Sequence, residues 1–134
     1  ETLPRYIKGE IILEKQLSNN ATYTGMIKKQ DGLLDFRGRA EELERQIRAY
    51  DPWPICYFNW NGKNVKIYSA RVLKTHYLKP AQRGIIEKYP CIGTKTYDLL
   101  LGKIQMPGKQ KINGNVFLNG ARGWAENNTE RINN

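Results

Sequence analysis

Hydrophobic and polar positions along the chain change period twice. Leu3, Ile7 and the pair Ile11-Ile12 recur at helical spacing until Gly9 interrupts them. This predicts a short helical piece over Thr2–Lys8, too short to be stable alone, which should need something to dock on. Residues 14–32 are polar and turn-rich and predict an extended linker. Within it, Tyr23, Gly25 and Ile27 alternate as a short edge strand, followed by Lys28-Lys29. Ala40, Leu43, Ile47 and Tyr50 then fall at 3-4-3 spacing and predict a helix over 40–50 with one apolar stripe. Glu41, Glu42 and Glu44 suit the positive start of its dipole, and Arg45 and Arg48 suit its end. Its start has Gly38 and Arg39 where a Ser, Thr or Asp cap is preferred. Asp51-Pro52-Trp53-Pro54 stops it.

Beyond Pro54 the period is two. Ile55–Trp60 and Lys63–Leu73 flank Asn61-Gly62, a pair that favours the tight type I′ hairpin turn. Further strands are expected over Gly84–Glu87, Cys91–Lys95 and Tyr97–Gln105, with a turn at Met106-Pro107-Gly108. Asn115–Asn119 reads as a short helix or turn holding Val116, Phe117 and Leu118 against the core, and Ala125–Asn134 as a polar, frayed tail. The elements predict a mainly β domain with one N-terminal helix, forming a small open barrel.

Charge changes this picture most. Residues 1–51 hold nine basic and nine acidic residues; residues 52–125 hold twelve basic residues against Glu87 and Asp98; the last nine add −1, so 0 + 10 − 1 gives the net +9. A one-signed segment repels itself and attracts polyanions over roughly 10 Å. No apolar run approaches the roughly 20 residues of a membrane helix. Cys56 and Cys91 read as buried free thiols, which suits a reducing, cytoplasmic setting. The chain has no N-terminal Met and no signal or transit peptide, and its first helix looks like the end of one that began upstream.

Chemistry is sparse. His76 is the single histidine, in a polar stretch without a nucleophile, and reads as solvated; no Cys-x-x-Cys pair exists, so no metal is expected. Gly102–Lys109 has five residues between its glycines and Gln110 where a phosphate loop needs Ser or Thr, which rejects a nucleotide site. Phe58, Trp60, Tyr68 and Tyr57 mix with Lys63, Lys66 and Arg71 around the hairpin. Strand alternation sends about half of such rings inward, so most are expected in the core. The pattern points to a polyanion gripped through its phosphates and shape rather than by reading of bases.

The stretch Ile27–Phe36, then Ala40-Glu41-Glu42-Leu43 and Ile47–Pro54 with its Pro-Trp-Pro, resembles the linker and C-terminal domain of the methionyl-tRNA formyltransferase family. The likeness continues through Asn61-Gly62-Lys63, Val65–Ala70, Gln105-Met106-Pro107-Gly108-Lys109 and Phe117–Gly120. Related domains occur in sugar formyltransferases and formyltetrahydrofolate dehydrogenase. The resemblance implies an open Greek-key barrel like the oligonucleotide-binding fold. It implies contact with the backbone of initiator methionyl-tRNA, presenting its acceptor end to a catalytic domain that uses 10-formyltetrahydrofolate. That domain's catalytic residues have no counterpart here, so the chain itself is expected to bind neither cofactor nor metal. The implied organisation is 1–13 as the end of the catalytic domain, 14–32 as linker, 33–124 as barrel and 125–134 as tail.

Lys28 and Lys29 match the family's basic linker element near bound tRNA, and Arg45, Arg48, Lys63, Lys66, Lys103, Lys109 and Lys111 are further RNA-binding candidates. Arg48 is also expected to tie the helix to the Pro-Trp-Pro turn, and Trp53 to be a core anchor. Arg39 and Ile55-Cys56 depart from the family's small residues. The alternatives are an accessory domain of a small-substrate formyltransferase and a freestanding oligonucleotide-binding module.

Overall fold

The structure, a computed structural model, describes residues 2–12, 14–15, 17, 19 and 21–125. Helix α1 is Thr2–Ile7 and buries none of its residues; Leu3 and Ile7 face solvent. The expected edge strand at Tyr23–Ile27 does not form. Tyr23 and Met26 are almost fully exposed, so this segment has neither a ladder partner nor an apolar surface to alternate against. A 3-10 turn spans Lys29–Gly32. The tail from 126 onward lies outside the described residues.

Helix α2, Ala40–Ala49, buries Ala40, Leu43 and Ile47, the predicted stripe. Its missing cap comes from 56 residues away: the Ala40 N–H donates to Thr96 Oγ1 at 3.0 Å. The same hydroxyl donates to Glu41 Oε2 at 2.9 Å. Glu41 is held below the usual carboxyl range, first by its own backbone N–H and then by Thr96.

Strands β1 (Cys56–Trp60) and β2 (Lys63–Leu73) form the predicted hairpin, with Asn61 and Gly62 both at positive φ. Strands β3 (Arg83–Ile86), β4 (Tyr89–Gly93), β5 (Asp98–Gln105) and β6 (Ile112–Asn113) complete a six-stranded antiparallel sheet. Its order is β1-β2-β5-β4-β3, with β6 on the far half of β5 beyond β4. Because β2 returns by a long connection to lie beside β5, the β3–β4–β5 meander and β2 make a Greek key. The sheet curls without closing; β1 and β3 end it.

Asp98 organises that long connection. Fully buried, its carboxylate accepts from the Thr75 hydroxyl at 2.8 Å and from the Tyr77 and Leu78 N–H groups at 2.9 and 3.2 Å. The connection then crosses β4 at Gly93, where the Lys79 and Leu78 carbonyls leave no room for a Cβ.

The core lies on the concave face. Phe58, Trp60, Val65, Ile67, Leu99, Leu101 and Ile104 meet Leu43 and Ile47 of α2 and Phe117 of helix α3 (Gly114–Gly120). Trp124 closes it, packed edge-to-face on Phe58, Trp60 and Phe117 and donating from Nε1 to the Gly84 carbonyl at 2.8 Å. Leu73, Cys91 and Leu100 form a smaller cluster with Leu78, Ile86 and Tyr89.

Candidate nucleic-acid interface

Alternation fixes which side chains leave the core. Cys56, Phe58, Val65, Ile67 and Ile104 point inward, so Tyr57, Lys66, Gln105 and Lys103 point to the opposite face. Register brings the first three into one row: Tyr57 pairs with Lys66, and Lys66 with Gln105. The 3-10 turn extends this row past β1. Leu33 bridges Tyr57, the Leu34 N–H donates to the Tyr57 carbonyl at 2.9 Å, and Gly32 fits against the Ile55 carbonyl. Gln46 Nε2 of α2 holds the turn through the Asp31 carbonyl at 2.9 Å. Lys28 and Lys29 therefore stand exposed beside β1, the Lys28 N–H anchored on Asp31 Oδ2 at 2.7 Å.

At the other end of the row the chain turns at Gly108 between β5 and β6. Tyr68 lies in an irregular stretch of the β2–β5 ladder, where register shifts between Ile67 and Ala70. Its hydroxyl donates to Gln105 Oε1 at 2.5 Å, and Gln105 Nε2 donates to the Lys109 carbonyl at 2.8 Å. The Lys111 ammonium sits 3.6 Å from the centre of the Tyr68 ring. Lys103, exposed and paired to Asn113 of β6, lies on the same strand as Gln105.

Lys28, Lys29, Lys66, Lys103, Lys109 and Lys111 are thus distributed along one row, while the remaining candidates are not. Lys63 precedes buried Val65 by two and follows the core side of the hairpin's end. Arg45, at 100° per residue, projects from the side of α2 away from its buried stripe. Arg48 does not tie the helix to the Pro-Trp-Pro turn; it pairs with Glu44 one turn back at 3.3 Å, because the i,i+4 carboxylate is nearer. Trp53 is no core anchor: it is 58% exposed, and Pro54 is the buried member of that turn. The Ile55 N–H to Tyr50 carbonyl bond closes the loop with Trp53 at its outside.

Among the described residues every ion pair uses an arginine: Arg5, Arg37, Arg39, Arg48 or Arg71. The carboxylates in ion pairs thus meet guanidinium groups, and none of the lysines in the row forms an ion pair with a described carboxylate. Tyr68 stands out in sequence only as one of several hairpin aromatics and Gln105 only as the start of the Pro-Gly turn motif; their placement across two strands joins them.

Other chemistry is absent from this face. His76 is exposed and leans on Tyr97 with ring centres 4.9 Å apart. Burial pushes the Cys56 thiol up to about 11 and Cys91 to about 12, so both are unreactive at neutral pH. Among the described residues, no group of three His, Cys, Asp or Glu is arranged to hold a metal, and no helix is long and apolar enough to cross a membrane. A shallow depression lined by Ile85, Lys88, Asn115, Val116, Leu118 and Asn119 has neither histidine nor carboxylate.

An open Greek-key sheet packed on a helix, with exposed lysines on its outer face, defines the class of domain. The chain belongs to the formyl transferase C-terminal domain family, which matches residues 26–122. Its similarity extends to methionyl-tRNA formyltransferases. That of Bacillus subtilis (strain 168) is 39% identical over 125 residues, 90% of this chain and 39% of that protein. That of Chloroflexus aggregans is 38% identical over 125 residues, 90% of this chain and 40% of that protein. The chain spans about two-fifths of the length of these relatives. In fold it is similar to HypX from Aquifex aeolicus, with TM-score 0.60 and 17% identity over 89% of this chain and 22% of that one. HypX solved in complex with tetrahydrofolic acid is also similar, at TM-score 0.58 and 18% identity over 87% of this chain and 21% of that one.

Proposed function

We propose that this domain grips a folded RNA, the initiator methionyl-tRNA, for a methionyl-tRNA formyltransferase. The parent enzyme transfers a formyl group from 10-formyltetrahydrofolate to the methionyl α-amino group. The observation that carries this reading is a run of exposed lysines without an ion-pair partner among the described residues: Lys66 and Lys103 on the face of the sheet opposite the core, and Lys28, Lys29, Lys109 and Lys111 in the turns beside it. Similarity to methionyl-tRNA formyltransferases supports initiator methionyl-tRNA as that RNA.

The residues present do not fit a folate. His76 has an aromatic neighbour and no paired acid or base, and Asp98 is buried against its own loop. The formyl donor belongs to the catalytic part of the parent enzyme, a cytoplasmic protein in this reading. Residues 1–13 are then the end of that part and 14–32 the linker to the barrel at 33–124.

The row is built for backbone and not base recognition. Ammonium groups on an antiparallel sheet meet phosphates without regard to sequence. Each neutralised phosphate releases counterions, so affinity should fall steeply with salt. The test is a titration of the chain with initiator and elongator tRNA at about 0.05 and 0.2 M salt, the range over which phosphate contacts weaken most visibly. Saturable binding to both that weakens steeply with salt is expected. Replacing both Lys28 and Lys29 by Ala should weaken both tRNAs alike and lower the salt slope by about two. Absence of binding at the lower salt would overturn the reading.

A further inference from the structure

Three contacts and a short piece of chain close a circuit at the end of the row. The Tyr68 hydroxyl bonds Gln105, the Gln105 amide bonds the Lys109 carbonyl, Lys111 follows two residues on, and its ammonium returns to the Tyr68 ring. Such a circuit is unusual for a surface lysine. A lysine side chain on an open strand has several freely rotating bonds, and ordering it opposes binding. Here the backbone at Lys111 is fixed by the Ile104–Ile112 pairing that follows it. The turn before it is fixed by Gly108 at positive φ, by the Lys109 N–H to Met106 carbonyl bond at 3.1 Å, and by Gln105. The ring then takes one side of the ammonium, and the N–H bonds on its other side face solvent.

We propose that Lys111 is a preordered phosphate-binding group for the RNA, and that Tyr68 and Gln105 are its positioning residues. This rests on the RNA-gripping reading. The ligand is one phosphodiester of a folded RNA, with Lys103 on the adjoining strand as a second cation. Its chemistry follows from the donors: an exposed ammonium in no ion pair among the described residues, within a segment of net +10, is free to take an anion. Tyr68 is suited to its role because burial, and then the Asp51 charge, push its phenol above the usual value and keep it a hydrogen donor. Gln105 is suited because its amide both accepts and donates, which a carboxylate or an amine does not do.

The experiment repeats the tRNA titration with variants of the full chain. Lys111→Ala should lose roughly five-fold affinity near 0.1 M salt and lower the salt slope by about one. Lys111→Arg should retain most of the affinity. Tyr68→Leu and Gln105→Ala should each lose a large part of the same factor, and Tyr68→Phe, which keeps the ring, a smaller part. The decisive readout is the double variant. Gln105→Ala combined with Lys111→Ala should bind no more weakly than Lys111→Ala alone. If Gln105→Ala weakens binding equally in the Lys111→Ala background, Gln105 does not act through Lys111 and the positioning role is overturned. If Lys111→Ala binds like the unaltered chain while the Lys28 and Lys29 variant binds weakly, this site is wrong and the RNA reading stands. If the unaltered chain binds no tRNA, both fall together. Lys111→Ala removes only an exposed side chain, so it keeps the test valid even where Tyr68→Leu fails to fold.

Discussion

Among the described residues two aromatic rings carry a cation, on opposite sides of one sheet. The Arg83 guanidinium lies 5.8 Å from the ring centre of Trp124, and the Lys111 ammonium 3.6 Å from that of Tyr68. Trp124 is buried at the meeting point of Phe58, Trp60 and Phe117, and Arg83 Nε also donates to its carbonyl at 3.2 Å. Its surroundings make that pair part of the core. Tyr68 has no aromatic neighbour of that kind; its partners are Gln105 and a lysine from an exposed turn. The same pairing of a cation with an aromatic ring therefore serves stability on one face and leaves a cation available on the other. Burial decides which.

The sharpest way to break the comparison is to remove each ring or its support. Trp124→Ala should cost about 3–5 kcal/mol, a large share of a domain's stability, and chemical denaturation would measure it. A loss below about 1 kcal/mol would mean that the ring does not hold the core together. Asp98→Ala strips the acceptor from Thr75, Tyr77 and Leu78 and should cost about 3 kcal/mol in the same measurement. Thr96→Val removes the distant cap of α2 and should cost about 1 kcal/mol.

Alkaline pH tests the buried side by another route. The Cys56 and Cys91 thiols ionise at about 11 and about 12 in the folded chain, against 9.0 unfolded. Between these values the folded state holds more protons than the unfolded one, so stability falls as pH rises. Denaturation midpoints should be insensitive to these thiols below pH 9 and decline above it, and Cys56→Ala with Cys91→Ala should flatten that decline. The smallest effects belong to the outer face. Lys66→Ala and Trp53→Ala should change stability by no more than about 0.5 kcal/mol, while Lys66→Ala weakens RNA binding.

Local pattern accounts for much of this architecture. Asn61-Gly62 encodes its hairpin because both residues tolerate positive φ, and the Ala40, Leu43, Ile47 stripe encodes α2 because helical period is a property of the segment alone. The edge strand expected at Tyr23–Ile27 failed for the complementary reason: a strand needs a partner, and alternation does not supply one. Trp53 misled because a ring between two prolines looks equally suited to a core or to an exposed corner. Arg48 misled because its charge says nothing about which neighbour it meets.

The sequence by itself determined the hairpin, the helices, the buried thiols, the excess of positive charge and the family, since each resides in residue type and near-neighbour spacing. Only the tertiary structure decided which cations share a face. Sheet register and the irregular pairing around Tyr68 set the row that runs from Tyr57 through Lys66 to Gln105. Thr96 capping α2 and Tyr68 meeting Gln105 join residues 56 and 37 positions apart. Separations of that size are fixed by how the strands pack, and no local preference of either residue encodes them.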